Sequence, residues 1–263
     1  MALAPSKHLG GLSMAANETH VDSLPKTGLL LIGMGLGRME GMTLEALEAA
    51  TLADHRRYEA YTALWPEAEL ARLEAKVGPI QRVMRPEVED PTELLELAAS
   101  SLVALLVVGD PLQATTHVDL QLRAAEAGVS CRVLHGVSIT TLVTGAVGLS
   151  NYKFGRQTTF TYPYGNWIAT SPLEVVASNW SQNLHSLVLL DLDPTGQGIG
   201  DQRPMTPADA VRSLGMMWHS MQTNEADGSA EDASATAFQR SMQTDFLEQS
   251  MEAMQVVLSL IHI

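Results

Sequence analysis

Leu102-Val103-Ala104-Leu105-Leu106-Val107-Val108, followed at once by Gly109-Asp110-Pro111, decides the fold. Seven apolar residues in a row show neither a helical nor an alternating period, so they read as a strand buried on both faces. Glycine and proline stop it abruptly. Such a strand needs helices above and below it, which makes the architecture α/β. The same pattern recurs on either side. Residues 29–32 form an apolar run that stops at Gly33-Met34-Gly35-Leu36-Gly37. Residues 130–134 form another, stopping at His135-Gly136-Val137-Ser138. Further strands are expected at 57–61 and 81–84. Helices are expected at 44–53 behind Thr43, at 66–77, at 90–101 behind Asp90, and at 116–127 before Gly128. Strands and helices alternate throughout, so this half is a mostly parallel sheet covered by helices.

Beyond Asn151 the texture changes. Strands are expected at 158–162 and 186–192, with a helix near 173–183 and another from Thr206 to about Met217. The chain therefore divides into an extension over 1–26, an α/β domain over 27–150 and a second α/β domain over 151–263. An acidic, Met-rich tail runs from about residue 211, with a flexible stretch at 224–236 and a long amphipathic helix at 237–263. The crowded methionines, Met216, Met217, Met221, Met242, Met251 and Met254, suit core or dimer contacts.

Composition excludes several classes. The 263 residues are 46% apolar and 17% charged, too apolar for a disordered chain. The longest apolar run falls far short of the ~18–20 residues that a membrane span requires. One cysteine, Cys131, makes neither a disulfide framework nor a multi-cysteine metal site, and suits the cytoplasm. The net charge of −14 disfavours direct nucleic-acid binding. That charge is uneven: residues 27–96 carry seven bases and thirteen acids, whereas 97–204 carry five and seven.

Three glycine-bearing turns at the carboxyl ends of parallel strands would line one crevice, where open sheets bind ligands. Asp110 is placed there to accept hydrogen bonds from an amine or hydroxyl, although it could equally cap the next helix with Thr115 or Thr116. A dinucleotide fingerprint fails, because Arg38 stands where the third glycine belongs and only Glu59 answers to the ribose-binding acid. Ser138 lacks a nucleophile elbow. No His, Cys or acid spacing suggests a metal, and no catalytic residue is assigned. Asn151-Tyr152-Lys153-Phe154-Gly155-Arg156 reads either as a cleft wall meeting a carboxylate or as a packed hinge.

These motifs carry a resemblance. Residues 31–37, Glu59-Ala60-Tyr61-Thr62, residues 107–117 and 135–139, Asn151-Tyr152-Lys153-Phe154-Gly155 and residues 184–191 are together similar to the diphthine synthases, a branch of the S-adenosylmethionine-dependent tetrapyrrole-methylase-like family. The resemblance implies a two-domain α/β fold, with a mostly parallel sheet first and a mixed sheet second, usually in a homodimer. It implies an N-methyltransferase acting on the 3-amino-3-carboxypropyl-histidine of translation elongation factor 2, with S-adenosylmethionine as cofactor. Carried over by motif, cofactor contacts fall at Leu36, Asp110, Gln113, Ser138, Ile139 and Leu189. His117, Lys153 and Arg156 are expected as substrate contacts, with Lys153 or Arg156 pairing with the substrate carboxylate. The family's further strands after about Ala210 find no match here. The alternatives are therefore a weakened or inactive homologue acting as a scaffold, or a related tetrapyrrole methylase.

Overall fold

A computed structural model describes residues 24–113, 115–199 and 202–226. The expected extension over 1–26 and helix over 237–263 fall almost wholly outside these residues.

The first unit alternates as its sequence requires: β1 (Gly28–Gly33), α1 (Leu44–Leu52), β2 (His55–Glu59), α2 (Glu67–Val77), β3 (Gln81–Val83), α3 (Arg85–Glu89), α4 (Thr92–Ser100), β4 (Leu102–Val107), α5 (Thr115–Glu126), β5 (Cys131–Leu134) and α6 (Ile139–Ala146). The strands pair in the order β3-β2-β4-β1-β5, every pair parallel. β1 and β4 are buried along their whole length. Their alternate residues feed two cores. Leu30, Ile32, Ala104 and Leu106 pack with Ala46, Ala49 and Ala50 of α1. Leu29, Leu31, Val103 and Leu105 pack with Leu95 of α4 and Leu120 of α5. A period of two thus buries both faces of a strand whose sequence has no polar member.

Local chemistry sets the boundaries. The Thr43 hydroxyl accepts from the Ala46 amide and starts α1. β2 begins two residues earlier than the sequence suggested, because Arg56 is held inside it: its guanidinium donates to the carbonyls of Ala50, Thr51 and Ala53 at the end of α1. The short α3 was not anticipated. It is opened by the Glu87 carboxylate, which accepts from the amide of its N-cap Met84 at 2.7 Å. Asp90 accepts from the Thr92 hydroxyl, but Pro91 intervenes and α4 starts at Thr92. Cys131 opens β5 half-buried, and burial pushes its thiol up to about 11.

The second unit holds β6 (Thr158–Phe160), α7 (Ser171–Ser181), β7 (Val188–Leu190) and α8 (Pro207–Ala226). β6 and β7 pair in parallel. No antiparallel partner, as a mixed sheet requires, lies among the described residues. Thr206 and Asp209 cap α8 reciprocally: the Asp209 carboxylate accepts from the Thr206 amide and hydroxyl, and the Thr206 hydroxyl accepts from the Asp209 amide. The helix runs nine residues past Met217, through the start of the stretch expected to be flexible. Met217 is fully buried, and Met216 and Met221 pack on the same core with Phe160, Leu173 and Leu214. Met242, Met251 and Met254 lie outside the described residues. Asn179, buried on α7, ties the unit to its entry segment: it accepts from the Arg156 amide and donates to the Arg156 carbonyl and the Ser186 hydroxyl.

Candidate functional site

The carboxyl ends of β4, β1 and β5 meet as the sequence suggested. Gly35 and Gly109 exchange two backbone bonds of 3.2 and 2.9 Å across the turns. Gly109 adopts φ +76°, a left-handed conformation that an L side chain rarely takes. Gly136 is pressed against its neighbours so closely that an added Cβ would lie 2.2 Å from the Gly109 carbonyl oxygen. The glycines therefore let the three turns pack backbone against backbone at the carboxyl edge, where open parallel sheets bind ligands.

Asp110 organises this edge. Its Oδ1 accepts from the Leu112 amide at 2.9 Å and shapes the turn into α5. Its Oδ2 accepts from His135 Nδ1 at 2.8 Å and from the Gly136 amide at 3.2 Å. β4 and β5 are not neighbours, so this carboxylate reaches across the end of β1. Ser138 is buried and caps α6, accepting from the Thr140 amide. The Thr140 hydroxyl donates to Gln113 Oε1 at 2.9 Å, which joins the turn after β4 to the first turn of α6. Leu36, Val137 and Ile139 stand exposed around this polar floor, Leu36 at 41% and Ile139 at 43%. Sequence reasoning named Asp110, Gln113, Ser138, Ile139 and Leu36, and the structure gathers all five on one edge. It missed Thr140, whose role appears only once α6 turns it toward Gln113, and the bond from His135. Leu189 sits elsewhere, half-buried at the centre of β7 and paired with Thr159.

His117 is fully buried. Its Nδ1 donates to the Pro111 carbonyl at 3.0 Å, and burial pulls the imidazole below its ordinary range, so it is neutral. Lys153 and Arg156 are exposed. Their backbones are fixed by Ser150, His185 and Asn179. Asn151, Phe154 and Gln157 from the same segment line a cleft of about 540 Å³ against Thr140, Thr141 and Thr144 of α6. The segment is thus a cleft wall, although the two cations do not line that cleft. No cluster of three or more His, Cys, Asp or Glu residues suited to a metal occurs among the described residues. No helix there is long and apolar enough to cross a membrane.

Comparison with known proteins adds to this geometry. The family model described as Tetrapyrrole (Corrin/Porphyrin) Methylases matches residues 28–217. The chain is 37% identical over 191 residues to a diphthine synthase of Methanoregula boonei, covering 72% of this chain and 74% of that one. It is 39% identical over 166 residues to the diphthine synthase of Methanocorpusculum labreanum, covering 62% and 66%. Among solved structures, a diphthine synthase superposes with a TM-score of 0.63 at 34% identity, covering 73% of this chain and 72% of that one. A conserved hypothetical protein from Aeropyrum pernix K1 superposes with a TM-score of 0.63 at 32% identity, covering 72% and 64%.

Proposed function

The chain belongs to the tetrapyrrole methylase family, in its diphthine synthase group, and from that premise we propose that it transfers methyl groups from S-adenosylmethionine to the amino group of the 3-amino-3-carboxypropyl-histidine of translation elongation factor 2. Three transfers convert this amine to the trimethylated diphthine.

One observation carries the reading at the level of residues. Asp110 crosses the end of β1 to hold the His135-Gly136 turn, and so fixes a crevice at the point where the strand order changes direction. The residues fit the cofactor. The turns pack so closely that Gly136 has no room for a Cβ against the Gly109 carbonyl, the rim of the crevice is apolar, and its floor offers amides, hydroxyls and a carboxylate. Leu36, Asp110, Gln113, Ser138 and Ile139 would hold it, with Leu189 contributing from the second unit. When bound, it supplies a sulfonium methyl group that an amine can displace directly. The protein's own task is then to position a neutral amine and exclude water. That task needs neither a covalent intermediate nor a metal.

The boundary between the two functional units falls at 145–156, where α6 ends and the chain turns into the 151–157 cleft wall. Lys153 and Arg156, exposed beside that wall, would meet the surface of the elongation factor. The reading carries a homodimer working in the cytoplasm, and sedimentation of the purified chain checks the dimer. The decisive experiment incubates the protein and S-adenosylmethionine with elongation factor 2 bearing the aminocarboxypropyl histidine, and weighs the product. A gain of three methyl masses supports the proposal. No gain, with cofactor binding retained, leaves a scaffold. No binding of S-adenosylmethionine or S-adenosylhomocysteine removes any methylase.

A further inference from the structure

Beside the crevice lies a buried polar group that the site described so far does not use. Glu59 ends β2 with no exposed surface. Its Oε1 accepts from the Thr62 amide at 2.9 Å and the Thr62 hydroxyl at 2.5 Å. Its Oε2 is buried with no hydrogen-bond partner among the described residues. The Tyr61 hydroxyl is buried as well, near Thr116 but outside hydrogen-bonding geometry. The Arg85 guanidinium lies 5.2 Å from the Tyr61 ring centroid, and its Nε is buried and unpartnered. One free acceptor, one free hydroxyl and one free guanidinium N–H thus share the face of the sheet that α3 and α5 cover. Buried groups of this kind are normally satisfied, because each one left unpaired is costly. The cluster also borders the seam between the two units: Gln202 donates to the Ala60 carbonyl, and the Arg85 amide donates to the Gly198 carbonyl.

What would satisfy all three is a group bearing an ammonium beside a carboxylate. Resting on the activity argued above, we propose that Glu59 accepts the proton of the substrate amine, while Arg85 and Tyr61 receive the adjoining carboxylate of the aminocarboxypropyl group. In this step an N–H bond of the ammonium breaks and an O–H bond forms at Glu59 Oε2. The electron pair stays on nitrogen as the lone pair that attack requires, and the proton passes afterwards to water. Every methyl transfer to an amine needs this deprotonation, so the group is used three times. The assignment moves the carboxylate contact from Lys153 and Arg156 to Arg85, whose Nε is enclosed and unpartnered while its Nη1 pairs with Glu89 at 3.2 Å on the partly exposed side.

The surroundings suit a base that works near neutrality. Burial pushes the Glu59 carboxyl above the usual carboxylate range, while the Thr62 bonds and the Arg85 charge pull it back. Among the described residues, the other titratable and charged groups around Glu59, Tyr61 and Arg85 are Tyr58 on the same strand, Glu89 on α3, neutral His117 on α5, and Tyr164 with Asp191 and Asp193 from the second unit.

Single-turnover methylation of modified elongation factor 2, at saturating S-adenosylmethionine and across pH, tests this. Cofactor affinity by calorimetry and Tm are measured for each variant. The wild-type rate should rise with pH to a plateau. Glu59→Gln should lower it on the order of a hundredfold and abolish that rise, with cofactor affinity unchanged. Arg85→Met should move the rise to higher pH and raise KM for the elongation factor. A Glu59→Gln enzyme with wild-type rate, or with an unaltered pH profile, overturns the proposal. If that variant does not fold, an unshifted rise in Arg85→Met overturns it instead. Failure of the wild type to methylate at any pH overturns the activity on which the proposal rests; the other outcomes leave that activity standing.

Discussion

Asp110 and His135 are bonded across a strand that belongs to neither: the carboxylate follows β4, the imidazole follows β5, and β1 lies between them. The 2.8 Å contact, with the Gly136 amide as second donor, holds the two turns at a fixed separation. Asp110→Asn keeps the size but replaces one acceptor oxygen by an NH₂ group. The affinity for S-adenosylhomocysteine should fall on the order of tenfold or more, about 1.4 kcal/mol, read by calorimetry. Unchanged affinity would separate the carboxylate from the crevice.

Gly136→Ala tests the backbone-on-backbone packing. Its Cβ would lie 2.2 Å from the Gly109 carbonyl, far inside contact distance, and backbone must move to admit it. The expected cost is about 1–3 kcal/mol in thermal or urea unfolding, with loss of cofactor binding. Gly145→Ala on α6, where nothing lies within 4 Å, serves as the control and should leave stability intact.

His117 gives the acid side of the stability profile. Burial lowers its folded-state value below the ordinary 6.5, so the unfolded chain takes the proton first. The stability associated with keeping this ring neutral is present above pH 6.5 and is lost as pH falls from there toward the folded value. Urea unfolding of His117→Gln should show a shallower fall than the wild type over that range. Parallel curves would contradict the assignment.

These positions also show what the sequence could convey. The carboxyl-edge turns were legible because an apolar run buried on both faces can end only in a turn at the sheet edge, as 102–108 does before Gly109. Arg56 was not legible as part of a strand: a cation in an edge region reads as solvent-facing until α1 offers it three carbonyls. Thr140 and Asn179 were missed for a similar reason. Each satisfies partners far away in the chain, 27 residues off for Thr140 and 23 for Asn179, and local patterning carries no record of such pairs.

Asn179→Ala measures one of those pairs. The amide satisfies the Arg156 amide and carbonyl and the Ser186 hydroxyl from a buried position. Its removal strands backbone groups and should destabilise the second unit by about 1–3 kcal/mol, seen as a lower urea midpoint. A wild-type midpoint would mean that water replaces the amide at no cost.

Lys153 and Arg156 are exposed, and their backbones rather than their side chains are anchored. Exchanging both for alanine should leave Tm within a degree or two and raise KM for the elongation factor several-fold, more so at low salt than at high. An unchanged KM would remove them from the docking surface.

The position of β4 between β2 and β1 has a consequence for how the chain is made. β1 pairs only with β4 and β5, and its first residue, Gly28, faces Leu102 in register. During synthesis from the amino terminus, its fully apolar stretch emerges long before either neighbour exists, and the earlier-formed β2 is not a substitute. β1 must therefore wait for residues up to about 107, with its backbone unpaired and its side chains seeking cover. Folding of this protein should be limited by the insertion of β4, and the nascent chain up to that point should be its most aggregation-prone form.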